Sequence, residues 1–464
     1  MQFQLTTEFI EELKIAIEKN EQTLIEEKID ELHPPDLAEI FNELDPEEAK
    51  FLYNLLDEEK SGKVLIEMEE DKREKFLSSL TSKEIAYHLD DMASDDAADV
   101  IAELPDKIQD EVLSHMEDSE QASDIVDLMN YDENTAGGLM AKEMVVVHVD
   151  NSVRFSVREL REQAENVKHI YTIYVVDSQD KLLGLLSLKS LLTTSLSTKV
   201  SEVYNPDIIY VKTNTPAEEV SKIMEKYDLV VLPVVDSLGK LVGRITIDDV
   251  VDVIREVETE DVQKMGGMEA LEEPYITMPF LQIIKKRVGW LVILFVGESF
   301  TATAMSFFED QIAKAVVLAL FIPLIISSGG NTGSQASTLI IRALALGEIT
   351  ISEWWKIVRK ELFVGLTLGL ILGAIGFTRV VVWSGFVPHL YGPHPVMVGA
   401  TIGVALVGVV LWGNMAGSLL PLLLKRVGLD PAVSSAPFVA TLVDVTGLII
   451  YFTVAALMLN GMMA

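Results

Sequence analysis

Beyond residue 287 the chain is dominated by five apolar segments, near 288–308, 312–341, 362–387, 395–424 and 436–460. A helix needs roughly 20 apolar residues to cross a bilayer. In hydrocarbon, only helices or closed barrels satisfy their own backbone groups. This half is therefore expected to be a bundle of five membrane helices. It holds eight basic and eight acidic residues, a net charge of 0, whereas the whole chain of 464 residues carries −35. The surplus lies entirely in the first 287 residues, with 29 basic against 64 acidic side chains. Although 49% of the residues are hydrophobic, charge and hydrophobicity occupy separate regions, which excludes one plain soluble domain. The acidic part would be repelled by a phosphate backbone, so a nucleic-acid partner is excluded. With no cysteine in the chain, disulfides, thiolate zinc sites and cysteine nucleophiles are excluded as well. The N-terminus, MQFQLTTEFIEELK, has no basic stretch followed by an apolar run. It is expected to be no signal peptide, leaving the acidic part in the cytosol.

Basic residues set the expected orientation. Lys285, Lys286, Arg287, Arg342, Lys356, Arg359, Lys360, Lys425 and Arg426 fall on one side of the five spans, and only Lys314 and Arg379 on the other. The positive side faces the cytosol, so the N-terminus is expected inside and the C-terminus outside.

Residues 1–130 are rich in helix formers. Turn and cap signals near Pro34-Pro35-Asp36, Asp45-Pro46, Asp57, Thr81, Ser94 and Pro105 divide them into short amphipathic segments, a pattern that predicts a superhelical stack. Within it, Asp90, Asp91, Asp95, Asp96 and Asp99 cluster. If Ser94 caps a helix, Asp95 and Asp96 sit at its positive N-terminus.

An internal repeat follows. IYVVDSQDKLLGLLSLKSLL (173–192) matches LPVVDSLGKLVGRITIDDVV (232–251) at an offset of 59 residues. Each copy reads as helix, strand, Asp-Ser turn, strand and helix. The repeat resembles the tandem CBS (Bateman) module, which is regulatory and takes adenine nucleotides through a Ser/Thr-x-x-Asp motif. Thr246 and Asp249 match that motif, whereas the first copy has Ser190 at the Asp position. The resemblance thus implies at most one nucleotide site, with ATP as its candidate ligand. From Asp248 to Lys264 the pattern is helical and acidic, ending at Gly266-Gly267. This segment joins the module to the membrane part.

Two features stand out in the membrane part. The run SSGGNTGSQAST (327–338) interrupts the second span with polar and glycine residues. Such a break is tolerated only when buried in protein or lining a wet cavity. Asp444 lies in the fifth span, where inserting a carboxylate costs about 3 kcal/mol or more. No basic residue shares its helix, so it is a candidate cation site. Ala440 and Thr441 lie one turn back on the same face. Glu298, in the first span, is a second intramembrane acid. Glycines four apart at 365, 369 and 373, at 399 and 403, and at 413 and 417 point to close helix packing.

Together, DDMASDDAADVIAELP (90–105), the CBS pair, SGGNTGSQASTLIIRALALGEI (328–349), GLDPA (428–432) and ATLVDVTGLIIYF (440–452) resemble the MgtE family of magnesium channels. The resemblance spans essentially the whole chain. It implies a multidomain membrane protein with an all-α superhelical N domain (1–130), an α/β tandem CBS module (131–250), a linking or plug helix (251–275) and a five-helix transmembrane pore domain (276–464), paired as a homodimer. It further implies a bacterial plasma-membrane location and Mg²⁺ as the ion conducted. Asp444, Ala440, Thr441, Gly329, Gly330, Asn331 and Glu298 are the pore candidates. The implied regulatory Mg²⁺ ligands are Asp91, Asp95, Asp99, Glu218, Asp228, Asp249, Asp252, Glu256, Glu260, Asp261 and Asp430. The residue chemistry agrees, since Mg²⁺ prefers oxygen and sheds its waters reluctantly. Two other readings fit the same residues: a secondary transporter coupling Mg²⁺ to Na⁺ or H⁺, and a magnesium-sensing receptor without flux. No GxxxxGK[ST] or HExxH motif is present, so no enzymatic activity is expected.

Overall fold

The computed structural model describes residues 3–164, 167, 169–271, 275–276, 278–309, 316–387, 390–391 and 393–459. They form two compact units, Met1–Val257 and Glu258–Ala464.

In the first unit, helices α1 (Thr7–Glu18), α2 (Gln22–Ile29), α3 (Pro34–Asn42), α4 (Pro46–Tyr53) and α5 (Glu58–Glu67) are followed by α6 (Glu70–Leu77), α7 (Ser82–Leu89), α8 (Ser94–Ala102), α9 (Asp106–His115) and α10 (Ser119–Leu128). Their starts are set locally. Asp57 Oδ1 accepts from the Lys60 N–H at 2.7 Å. Thr81 and Glu84 form a reciprocal capping box, satisfying two backbone donors that a bare helix end leaves open. The expectation for Ser94 is corrected. Ala93 is the cap and Ser94 the first helical residue. The Ser94 N–H and hydroxyl both donate to Glu143, at 2.8 and 3.1 Å. A carboxylate from elsewhere in the chain serves this helix start, and the Ser94 side chain does not.

The repeat folds as two copies of one unit. The first runs β1 (Val145–His148), α11 (Val153–Gln163), β2 (Ile173–Val176), β3 (Leu182–Leu186) and α12 (Leu188–Thr193). The second runs β4 (Val211–Lys212), α13 (Ala217–Lys226), β5 (Val231–Val235), β6 (Leu241–Thr246) and α14 (Ile247–Met265). Each forms a three-stranded sheet in chain order, one parallel pair followed by one antiparallel pair. The repeated Asp builds the same turn twice. Asp177 Oδ1 accepts from the Gln179 and Lys181 N–H groups, and Asp236 Oδ1 from those of Leu238 and Lys240. Asp180 and Gly239 hold the matching left-handed positions, at φ 61° and 85°. The first copy has its own core around Val147, Ile173 and Leu186. The second shares one continuous core with the helical stack, from Leu13 through Val100 to Met224, Val234 and Ile245.

The second unit holds the last turns of α14 and five helices long and apolar enough to span a membrane: Phe280–Phe307, Val316–Ala345, Ile351–Phe386, Pro395–Arg426 and Ala436–Leu459. Their helical parts are α15 (Phe280–Phe307), α16 (Val316–Ala319) with α17 (Ile322–Ala345), α18 (Trp354–Phe386), α19 (Pro395–Arg426) and α20 (Ala436–Leu459). The interruption expected at 327–338 is corrected. That run is helical throughout, and the break in the second span lies earlier, at Leu320–Phe321. The hydroxyls satisfy themselves within the structure. Ser328, Thr332 and Thr338 donate to carbonyls four residues back, at 2.6 to 3.0 Å. Ser334 and Ser337 donate to the carbonyls of Ala436 and Ser434, at 3.0 and 2.8 Å. Meanwhile Gly329 and Gly333 lie against Gly413 and Gly417 of α19, where a Cβ on Gly333, Gly413 or Gly417 would strike backbone. The glycines thus permit helix contact, as do Gly365, Gly369 and Gly373 in α18, which face α19.

Candidate functional site

In the membrane unit, three helices meet at Asp444. Ala440 lies one turn before it on α20, and Gly330 of α17 faces both. A Cβ on Gly330 would stand 3.5 Å from the Ala440 Cβ and 3.8 Å from Asp444 Oδ1. Any side chain on α17 here would therefore close the space beside the carboxylate. The Glu298 side chain of α15 lies close enough for its charge to act on Asp444. Gly297, beside it, faces the Thr441 methyl, which a Cβ would approach to 2.9 Å. The structure thus gathers Asp444, Glu298, Ala440 and Gly330 at one point, with Thr441 at the α15 contact. The other two members of the glycine run point elsewhere. Gly329 is buried against Val409 and Val443. Asn331 is exposed, with its amide directed to Ser327 Oγ at 3.4 Å. Consecutive helical residues differ by about 100° in direction, so Gly329 and Asn331 face different sides of α17 from Gly330. Gly297 is not legible in the sequence, because a single glycine in an apolar span carries no periodic signal.

In the first unit, the acids of α8 meet those at the start of α14. Asp95 is 8% exposed, and burial, then Asp249, Asp96 and Glu143, raise its carboxyl well above the usual carboxylate range. Burial, followed by Asp249, Asp99 and Asp248, pushes Asp96 up to about 7. Asp249 rises to about 6 through burial and then Asp248, against the lowering effect of its Thr246 hydrogen bonds. Asp99 stands at the exposed edge of this group, crowded by Glu133 and Asp249. Such crowding disfavours ionisation and favours any cation that offsets it. Oxygen donors of this kind fit a hard divalent ion. Among the described residues, no three His, Cys, Asp or Glu side chains are drawn close enough to enclose a metal.

The remaining expected ligands are dispersed. Asp91 is exposed and lines a groove with Tyr53, Tyr87 and His88. Glu218 pairs with Lys222, and Asp228 holds a left-handed turn at φ 51°. Asp252 pairs with Arg255 at 3.2 Å and raises the neighbouring Glu256, whose carboxyl is lifted first by burial. Asp261 lies on the last turns of α14. Glu260 and Asp430 both bind Lys264, at 2.6 and 2.7 Å. The Ser/Thr-x-x-Asp motif is intact, with the Thr246 hydroxyl donating to Asp249 Oδ2 at 2.8 Å. Its counterpart joins only Ser187 and Ser190.

Comparison with known proteins covers both units. Residues 322–454 match the MgtE divalent cation transporter family, 32–134 the MgtE intracellular N domain, and 136–197 and 200–256 the CBS domain. A magnesium transporter MgtE of Thermus thermophilus is 39% identical over 349 residues, 75% of each chain. One from Enterococcus faecalis is 32% identical over 74% of this chain and 73% of its own. Among solved structures, the cytosolic domain of the Mg²⁺ channel MgtE in complex with ATP aligns at 35% identity and a TM-score of 0.49, covering 53% of this chain and 99% of that one.

Proposed function

This chain belongs to the MgtE family, and we propose that it is a Mg²⁺-selective channel for magnesium uptake, closed by feedback from intracellular Mg²⁺. The observation that carries the reading is the meeting of Asp444 and Glu298 beside Gly330, in helices long enough to span a bilayer. Two carboxyls side by side in a medium of low dielectric attract a cation strongly. Mg²⁺ holds its ligands at about 2.0–2.1 Å and gives up water reluctantly. Asp444 and nearby carbonyls therefore accept hydrogen bonds from the ion's water shell, and the side-chain-free wall at Gly330 leaves room for that shell. In a homodimer, Asp444 of each copy adds a charge on the shared axis.

Feedback follows from the acidic cluster. With little Mg²⁺ present, the α8 and α14 carboxylates repel one another. Mg²⁺ removes that repulsion and, by binding the closed state better, shifts the population toward it. Thr246 and Asp249 are the proposed adenine-nucleotide site, so Asp249 would serve both ligands. The acidic domains face the cytosol of a bacterial plasma membrane, with the C-terminus outside.

Flux into proteoliposomes, with Mg²⁺ titrated on the cytosolic side, tests the reading. Asp444→Ala is expected to abolish selective Mg²⁺ uptake while the protein still folds. Uptake at the parent rate would refute the assignment, and flux without single-channel currents would favour the Na⁺- or H⁺-coupled carrier.

A further inference from the structure

Lys264, the last residue but one of α14, is held between two carboxylates. Its ammonium lies 2.6 Å from Glu260 Oε1, one turn back, and 2.7 Å from Asp430 Oδ2. Asp430 opens the 3₁₀ turn Pro431–Val433 that leads into α20, and its other oxygen accepts from the Ala432 N–H at 2.8 Å. The contact is braced by its surroundings. Gly267, at φ 75°, closes α14 against the Trp290 indole, and Trp290 donates to Ser435 Oγ at 3.2 Å. The Lys264 side chain is 27% exposed, whereas Lys222, in a pair of the same spacing with Glu218, is 51% exposed. Lys222 is solvated, and Lys264 is partly buried between its partners.

Glu260 and Asp430 are also two of the proposed regulatory Mg²⁺ ligands. An ammonium at these oxygens competes with Mg²⁺ for them, because the like charges repel at close distance. We propose that Lys264 is a tethered competitor: it occupies the Glu260–Asp430 pair when Mg²⁺ is scarce, and Mg²⁺ must displace it to bridge them. Lys264 thereby raises the Mg²⁺ concentration at which the end of α14 is clamped to the turn before α20. The inference rests on the reading of Glu260 and Asp430 as regulatory ligands.

The test uses the full chain, which has no cysteine, with one environment-sensitive fluorophore on Leu429→Cys, an exposed position. Mg²⁺ is titrated onto purified protein in lipid nanodiscs. In the Lys264→Gln variant the midpoint of the local response is expected to fall roughly fivefold, the fold-change of one partly exposed ion pair. Lys264→Arg, which keeps the charge, should retain the parent midpoint. Adding Asp430→Asn to Lys264→Gln should abolish the response. A damaged fold weakens binding, so tighter binding separates competition from a merely structural role. An equal or higher midpoint in Lys264→Gln overturns the proposal while Mg²⁺ regulation stands. No response to Mg²⁺ in any variant overturns the regulatory reading and the proposal together.

Discussion

Gly417→Ala probes how closely α17 and α19 must approach. A Cβ on Gly417 would stand 2.0 Å from the Gly333 carbonyl oxygen and 2.7 Å from its carbon, where real contacts stay above 3.0 Å. The obstacle is backbone, so no rotamer change relieves it, and the helices must part by about 1 Å. A gap of that size forfeits roughly a quarter to a half of the attraction between facing atoms. Overpacking of this kind costs about 1–3 kcal/mol. The displacement also reaches the ion site. Gly330 lies one turn before Gly333 on α17, and its Cβ direction points at Asp444 Oδ1, only 3.8 Å away. Thermal unfolding in detergent and Mg²⁺ uptake into proteoliposomes should be measured beside Gly385→Ala, where nothing lies within 4 Å of an added Cβ. Gly417→Ala should melt several degrees lower and lose most of its uptake, and Gly385→Ala should do neither. Parent-like melting and uptake in Gly417→Ala would refute the view that glycine is required by the helix contact.

Asp96 and Asp249 are raised to about 7 and about 6 from 3.8. The folded state thus holds their protons more tightly than the unfolded state does. Their stabilising contribution is complete below about pH 4 and is lost as pH rises through 6 to 7. In EDTA, the thermal midpoint should fall over that range and Asp96→Asn should flatten the fall; an unchanged slope in that variant would contradict the account. Neutralising Asp249, Asp252, Glu256 and Glu260 together should leave the channel open at millimolar internal Mg²⁺ in the flux assay, and unchanged inhibition would show that these acids are not the sensor.

Much of the architecture is legible in the sequence because its signals are local. Span length, the two-fold repeat, the Asp177 and Asp236 turns and the stop of α14 at Gly266-Gly267 each depend on residues near one another in the chain. Asp444 stands out for the same reason, as one acid in an apolar run. The glycine-rich run misleads because local propensity argues for a break, whereas the helix is sustained by hydroxyls bonded one turn back and by a partner helix with glycines at the matching height. Ser94 misleads because its partner, Glu143, lies 49 residues away.

The sequence by itself determined which half enters the membrane, which half carries the charge, and which intramembrane acid lacks a partner on its own helix. Only the tertiary structure decided that Glu298 meets Asp444, that Asp95 and Asp96 meet Asp249, and that Lys264 occupies Glu260 and Asp430. The physical reason is one of range. Hydrophobic periodicity and turn chemistry act over a few residues, whereas the field at a carboxylate depends on whichever charges packing brings within several ångströms, however distant they are in the chain.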